Sequence, residues 1–387
     1  MSSGSYFGPD GFEHGERAAV GVLLTNLGTP DEPTTPALRR YLREFLSDPR
    51  VIELPPWKWQ PILNLFILTT RPQKSAATYR AVWTEEGSPL LVITRRQAAG
   101  IEERLRAAIA SPVEVAVGMR YGNPSIGAGL RELQGRGCRR ILVLPLYPQY
   151  SAATTGSTFD AVARELTTWR WVPELRTIHQ YHDDPAYIAA LADTLRETWS
   201  PGGPPEKLLF SFHGVPLRYF LGGDPYHCQC HKTARLVAES LGLADESWEL
   251  TFQSLFGREE WLKPYTADTV RAMAESGVRS LDVICPGFSA DCLETLEEIE
   301  VENRGYFEQA GGERFRYVPA LNDRADHLDA LAAVIRRHLE GWVTPAETWD
   351  EAAARAEAAA SKARAAARAA CPVHADAGYG DAVPNAR

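Results

Sequence analysis

The stretch LDVICPGFSADCLETLEEIEVE, from Leu281 to Glu302, decides how this chain is read. Leu281 to Cys285 is a short apolar run that reads as a buried strand. A Pro-Gly turn follows, and then a helical pattern carrying Glu294, Glu297, Glu298, Glu300 and Glu302. Upstream, Leu208 to Pro216 (LLFSFHGVP) has the same form and delivers one histidine, His213, into a Gly-Pro turn. In open α/β sheets, ligands bind beyond the carboxyl ends of the strands. His213 and the glutamates are therefore expected at one rim.

Glu294, Glu298 and Glu302 follow an i, i+4, i+8 spacing, which stacks side chains along one helix face. In an α-helix that row drifts slowly around the axis, and a π-bulge would change the drift. Leu293, Leu296 and Ile299 lie roughly opposite the row, so a solvated acidic face is the alternative reading. Position after a Pro-Gly turn, facing His213, favours a site.

Working outward, strands are expected at Val20–Asn26, Val113–Gly118, Arg140–Leu146 and Glu174–Gln180. A second set is expected at Leu208–His213, Trp248–Gln253, Leu281–Cys285 and Phe315–Pro319. Strands alternating with helices define an α/β fold of two Rossmann-like domains, each a four-stranded parallel sheet flanked by helices. The chain divides into a flexible N-terminus (1–17), an N-terminal domain (18–182) and a C-terminal domain (183–323) carrying His213 and Glu294. A helix (324–342) packing back on the first domain follows, then an Ala-rich tail (343–387), partly helical or disordered.

The 387 residues suffice for two domains, and 44% hydrophobic with 24% charged residues is an ordinary globular composition. A net charge of -9 argues against a nucleic-acid partner. The scattered cysteines give no disulfide framework and suit a reducing, cytoplasmic setting. The first residues have no apolar core of a secretory signal, and no apolar run approaches the roughly 20 residues of a membrane span. Leu54 to Tyr79 is unusually apolar: Trp57, Trp59, Ile62, Leu63, Leu65, Phe66, Ile67 and Leu68 crowd together. A buried helix and an exposed lip (54–79) resting on a membrane surface are both open. His227-Cys228-Gln229-Cys230-His231 is dense in metal-ligating groups but lacks zinc spacing, so it reads as a helix start beside the cleft rather than a metal site.

SFHGVP and FSADCLETLEEIE together resemble ferrochelatase, the family that inserts ferrous iron into a porphyrin to make haem. LLTNLGTPDEP (Leu23 to Pro33), GMRYGNP (Gly118 to Pro124), LPLYPQYSAATTGS (Leu144 to Ser157), GDPYHCQC and TFQSLFGREEWLKP agree in order, so that the resemblance covers residues 20 to 340. It implies a chelatase-like fold and a lyase acting on protoporphyrin IX. Coproporphyrin III, or another tetrapyrrole, is the alternative substrate, and a non-catalytic two-lobed binder the alternative class. It implies His213 and Glu294 as catalytic and metal-contacting residues, with Glu298 and Glu302 continuing a proton or metal path. Leu27, Met119, Arg120, Tyr121, Tyr147 and Phe288 are implied against the porphyrin, and Arg71 and Lys74 near its propionates. Implied partners are the porphyrin, Fe²⁺ and a membrane surface, for a monomer or weak homodimer in the cytoplasm, peripheral to the inner membrane.

Two departures from the family pattern stand out. Some members have histidine where this chain has Cys292. Others hold a [2Fe–2S] cluster through one internal and three C-terminal cysteines. Here the internal position is Ala152 and the tail has Cys371 alone, so no cofactor beyond the substrate iron is expected.

Overall fold

The computed structural model describes residues 6–8, 18–200, 202–257 and 259–369. Most of 1–17, and the tail from 370 on with Cys371, lie outside these described residues.

Two four-stranded sheets carry the fold. The first holds β1 (Ala19–Thr29), β2 (Val113–Gly122), β3 (Cys138–Pro145) and β4 (Glu174–Thr177), in the order β2-β1-β3-β4. The second holds β5 (Lys207–His213), β6 (Trp248–Gln253), β7 (Ser280–Ile284) and β8 (Arg314–Val318), in the matching order β6-β5-β7-β8. Every strand pairing is parallel. The two-sheet α/β class expected from the strand pattern is the one observed.

Alternation along the strands sorts the core into layers, because successive side chains point to opposite faces. Val22 and Leu24 of β1 join Leu208, Phe210 and Phe212 of β5 in one cluster that also takes in the helices Pro89–Ala108, Pro185–Trp199, Tyr226–Leu241 and Ala325–His338. Leu23 points the other way, with Ile141 and Val143, beneath the helices Ile126–Gly135 and Ser157–Leu166. On the second sheet Leu209, Leu281, Val283 and Phe315 form the corresponding outer layer. The two sheets thus share their inner core.

Helix Ala325–His338 lies against helix Pro89–Ala108. Arg104 Nε donates to Asp329 Oδ1 at 2.5 Å, and a Cβ on Gly100 would stand 2.5 Å from Leu328 Cδ1, so a larger residue there would have to displace the Leu328 side chain. Beyond it, Trp342 Nε1 donates to Glu174 at 2.8 Å and Thr344 N to Ser111 Oγ at 3.0 Å. A helix then covers Glu351–Ala369. At the other end, Phe7 pairs with Trp169, ring against ring.

Chain order reverses direction between β1 and β3 in one sheet and between β5 and β7 in the other. Such switch points leave a crevice beyond the strand ends. Here Asn26 to Thr29 (end of β1) and Leu146 and Tyr147 (after β3) face the same space as His213 and Gly214 (end of β5) and Gly287 and Phe288 (after β7).

Candidate active site

Both crevices open into one cavity of about 340 Å³, within the size range of small-molecule sites. Leu42, Phe45, Val51, Ile52 and Ile67 of the first half give it a largely apolar wall, to which Asn26, Arg71 and Gln149 add polar groups. The second half supplies His213, Ser254, Trp261, Phe288 and Glu294.

His213 is half-buried at the last position of β5. Its Nδ1 lies 2.6 Å from the carbonyl oxygen of Gly214, an acceptor only. Nδ1 therefore carries the proton, and Nε2 keeps a lone pair able to take a proton or bind a cation. The tight turn requires Gly214: a Cβ there would lie 2.8 Å from the Gln253 carbonyl.

The glutamate segment is a π-helix over Glu294–Asn303. Its i→i+5 bonding puts more than four residues in a turn, so a row spaced by four falls short of a full turn instead of overshooting it. Asn303 Nδ2 supports this widened turn by donating to Glu298 O at 2.7 Å. Glu294 faces the cavity. Glu298 sits behind it, accepting from Ser254 N at 2.7 Å and Ser254 Oγ at 2.5 Å. Burial raises the Glu298 carboxyl, bonds from Ser254 and the nearby His213 oppose this, and Glu294 adds to it. Burial also raises Glu297, helped by Glu302 and Glu298, while Lys74 works against it. Glu302 is exposed and accepts from Tyr306 Oη.

The residues expected against a ligand divide. Leu27, Tyr147, Phe288 and Arg71 line the cavity. The Tyr147 hydroxyl is buried there without a hydrogen-bond partner among the described residues. Arg71 lies over the Phe256 ring at 4.8 Å, spanning the two halves at the mouth. Lys74 is exposed and outside the lining. Met119, Arg120 and Tyr121 are also outside it. They end β2, on the far side of β1 from the switch point, and Phe45 covers Tyr121 with ring centroids 5.0 Å apart. Arg120 pairs with buried Asp48, which also accepts from Tyr121 Oη at 2.7 Å and Ser157 Oγ at 2.5 Å. A porphyrin contact for Arg120 and Tyr121 thus does not match their packing: both are engaged by a carboxylate the sequence reading passed over.

Asp48, Gln253 and Ser254 were not singled out from sequence. Asp48 stands in an unremarkable LSDPR segment and gave no signal. Gln253 and Ser254 stand inside TFQS, a motif noted only for its order.

Cys292 lies within the cavity wall beside Leu90 and Ala290. Burial raises its thiol strongly and the Glu294 charge and bond raise it further, so it is a thiol, not a thiolate, at neutral pH. His227 and His231 begin the helix Tyr226–Leu241 with ring centroids 4.5 Å apart. No group of three or more metal-ligating side chains occurs among the described residues. The segment 54–79 is part buried and part exposed. Trp59, Leu63 and Leu68 are buried, whereas Trp57 (73%), Leu65 (66%) and Phe66 (66%) are exposed.

An imidazole with a bare nitrogen and a carboxylate line one cavity between two parallel sheets, an arrangement chemically compatible with a chelatase-type enzyme, since both groups can take protons or hold a cation. The comparisons with known proteins carry this to a family. The Ferrochelatase sequence profile matches residues 19–339. Ferrochelatase of Hydrogenovibrio crunogenus is 59% identical over 86% of this chain and 89% of its own length. That of Thioalkalivibrio sulfidiphilus is 58% identical over 91% and 95%. Among solved structures, SirB from Bacillus subtilis with Fe³⁺ matches 82% of this chain and 95% of its own, with a TM-score of 0.49 at 12% identity. The chain belongs to the ferrochelatase family, and is a porphyrin metal chelatase, a lyase of haem biosynthesis.

Proposed function

We propose that this enzyme inserts Fe²⁺ into protoporphyrin IX to form protohaem, releasing the pyrrole protons, with His213 and Glu294 as the reacting pair. The observation that carries this is their joint exposure in one apolar cavity, with the free nitrogen of His213 fixed by the Gly214 carbonyl. A ring held against Phe288 and the apolar wall presents its nitrogens to this pair. His213 Nε2 takes a pyrrole proton or contacts the arriving iron, and Glu294 shares the task. Glu298, whose burial favours the protonated form, accepts protons from this pair, and Glu302 releases them at the exposed end. The cavity wall supports holding the ring in a bent form that bares its lone pairs. Arg71 in the cavity lining, with exposed Lys74 three residues on, suits the propionates.

The exposed Trp57, Leu65 and Phe66 support peripheral contact with a membrane surface beside the mouth. No helix among the described residues is long and apolar enough to cross a membrane. An anaerobic assay with Fe²⁺ and separate porphyrins tests the substrate. Faster turnover of protoporphyrin IX than of coproporphyrin III is expected, and the reverse order would replace the proposed substrate.

A further inference from the structure

Gln253 is buried at the end of β6, in register with His213 across the β5–β6 pair. Its backbone carbonyl accepts from Gly214 N at 2.8 Å, beneath the turn that carries His213. Its side-chain Nε2 donates to Glu294 O at 2.9 Å and to Glu298 Oε2 at 3.3 Å. Its Oε1 accepts from Ser211 Oγ at 2.7 Å and faces Cys285 Sγ at 3.6 Å. Only one orientation of the amide works. Flipped, Oε1 would face a carbonyl and a carboxylate, and both of Gln253's good donors would point at hydroxyl and thiol.

We propose that Gln253 is a positioning residue for metal insertion: one buried amide ties the strand of His213 to the first turn of the π-helix and so sets the spacing of His213, Glu294 and Glu298. This rests on the assignment of His213 and Glu294 to the reaction. A π-helical first turn is an uncommon geometry, and the Gln253 amide donates to both the carbonyl of its first residue and the carboxylate one turn on. The Glu294 backbone and the Glu298 carboxylate, four residues apart, are thereby held from outside the helix. Small displacements of reacting groups are costly: a shift of about 1 Å can lose roughly a hundred-fold in rate.

Two substitutions separate positioning from bulk stability. Gln253→Met keeps the length and removes both donors at every pH. Gln253→Glu keeps the shape and can donate one hydrogen bond only while its carboxyl is protonated. With Fe²⁺ and porphyrin, Gln253→Met is expected to lose about ten- to hundred-fold in kcat, with porphyrin KM changed about two-fold or less. Its deficit relative to the unsubstituted enzyme stays constant with pH. The Gln253→Glu deficit shrinks as the assay is moved from about pH 8 to about pH 6, because the protonated form regains a donor. Unchanged kcat in Gln253→Met, or equal and pH-independent deficits in the two variants, would overturn the inference. Near-UV circular dichroism reports folding; should Gln253→Met not fold, the pH dependence of Gln253→Glu alone decides. His213→Ala and Glu294→Gln run in parallel. If they are inactive while the Gln253 variants match the unsubstituted enzyme, only this inference fails. If they turn over normally, the assignment it rests on fails.

Discussion

Burial raises the Glu298 carboxyl above its ordinary value of 4.5, against the bonds from Ser254 and the nearby His213. A raised folded value means that its contribution to stability is fully present below 4.5 and is lost as pH rises through the folded value. Glu298→Gln is neutral throughout and escapes this loss. The melting temperature of Glu298→Gln relative to the unsubstituted chain should therefore climb as pH rises from about 4.5 and level off once Glu298 is ionised. A difference that is flat with pH would show that the carboxyl is not perturbed. Asp48 has the opposite sign. Burial pushes it up, but bonds from Ser157, the Arg50 amide and Tyr121, with the Arg120 charge, outweigh burial and hold it below 3.8. Its stabilisation is present above 3.8 and is lost as pH falls through the lower folded value. Asp48→Ala leaves Arg120 buried without its partner, which costs about 3–5 kcal/mol. Removing Asp193 from its exposed pair with Arg196 should cost under about 1 kcal/mol. Urea unfolding of the two variants measures the contrast, and equal losses would contradict it.

At the scale of elements, the segment from Pro56 to Val82 shows what sequence alone leaves open. Its apolar residues are too many and too close for periodicity to separate a buried face from an exposed one. The chain resolves this with a π-helical insert, Leu63–Ile67, which rotates Leu65 and Phe66 outward while Leu63 stays inward. The two faces are separable by experiment. Leu65→Ser with Phe66→Ser should abolish liposome binding and leave the melting temperature nearly unchanged. Leu63→Ala should cost about 2–5 kcal/mol and leave liposome binding intact. The opposite pattern would place the membrane-facing surface elsewhere. The site helix was easier to read. Its Pro-Gly turn and glutamate spacing are written in the sequence, and so is His213 at a strand end. What the sequence does not carry is the π-helical winding, whose backbone carbonyls accept from Gln253 and Asn303, one of them far off in the chain. Met119, Arg120 and Tyr121 lie outside the cavity lining, which the sequence does not show either. They end a strand as His213 does, but their side chains are taken up by Asp48 and Phe45 instead of the cavity.

For the whole molecule, two sheets of identical strand order share one inner core, and the cavity lies where their switch points face each other. Alternating strands and helices made the α/β class legible, because each strand is bounded by turn residues. The pairing of the halves across a common core was not legible, since no local pattern records which faces meet. Among the described residues, the cysteines Cys138, Cys228, Cys230, Cys285 and Cys292 lie on separate elements or in a helix start. Anaerobically purified protein should accordingly carry no acid-labile sulfide, and stoichiometric sulfide would contradict this.

The proposed mechanism has His213 and Glu294 together perform iron insertion in the cavity between the sheets. Its most direct test is the initial rate of anaerobic Fe²⁺ insertion into protoporphyrin IX by purified His213→Ala and Glu294→Gln, each with native circular dichroism and melting temperature. The expected result is a loss of about a hundred-fold or more in each variant, with the fold intact. Turnover like that of the unsubstituted enzyme in either folded variant would contradict the claim.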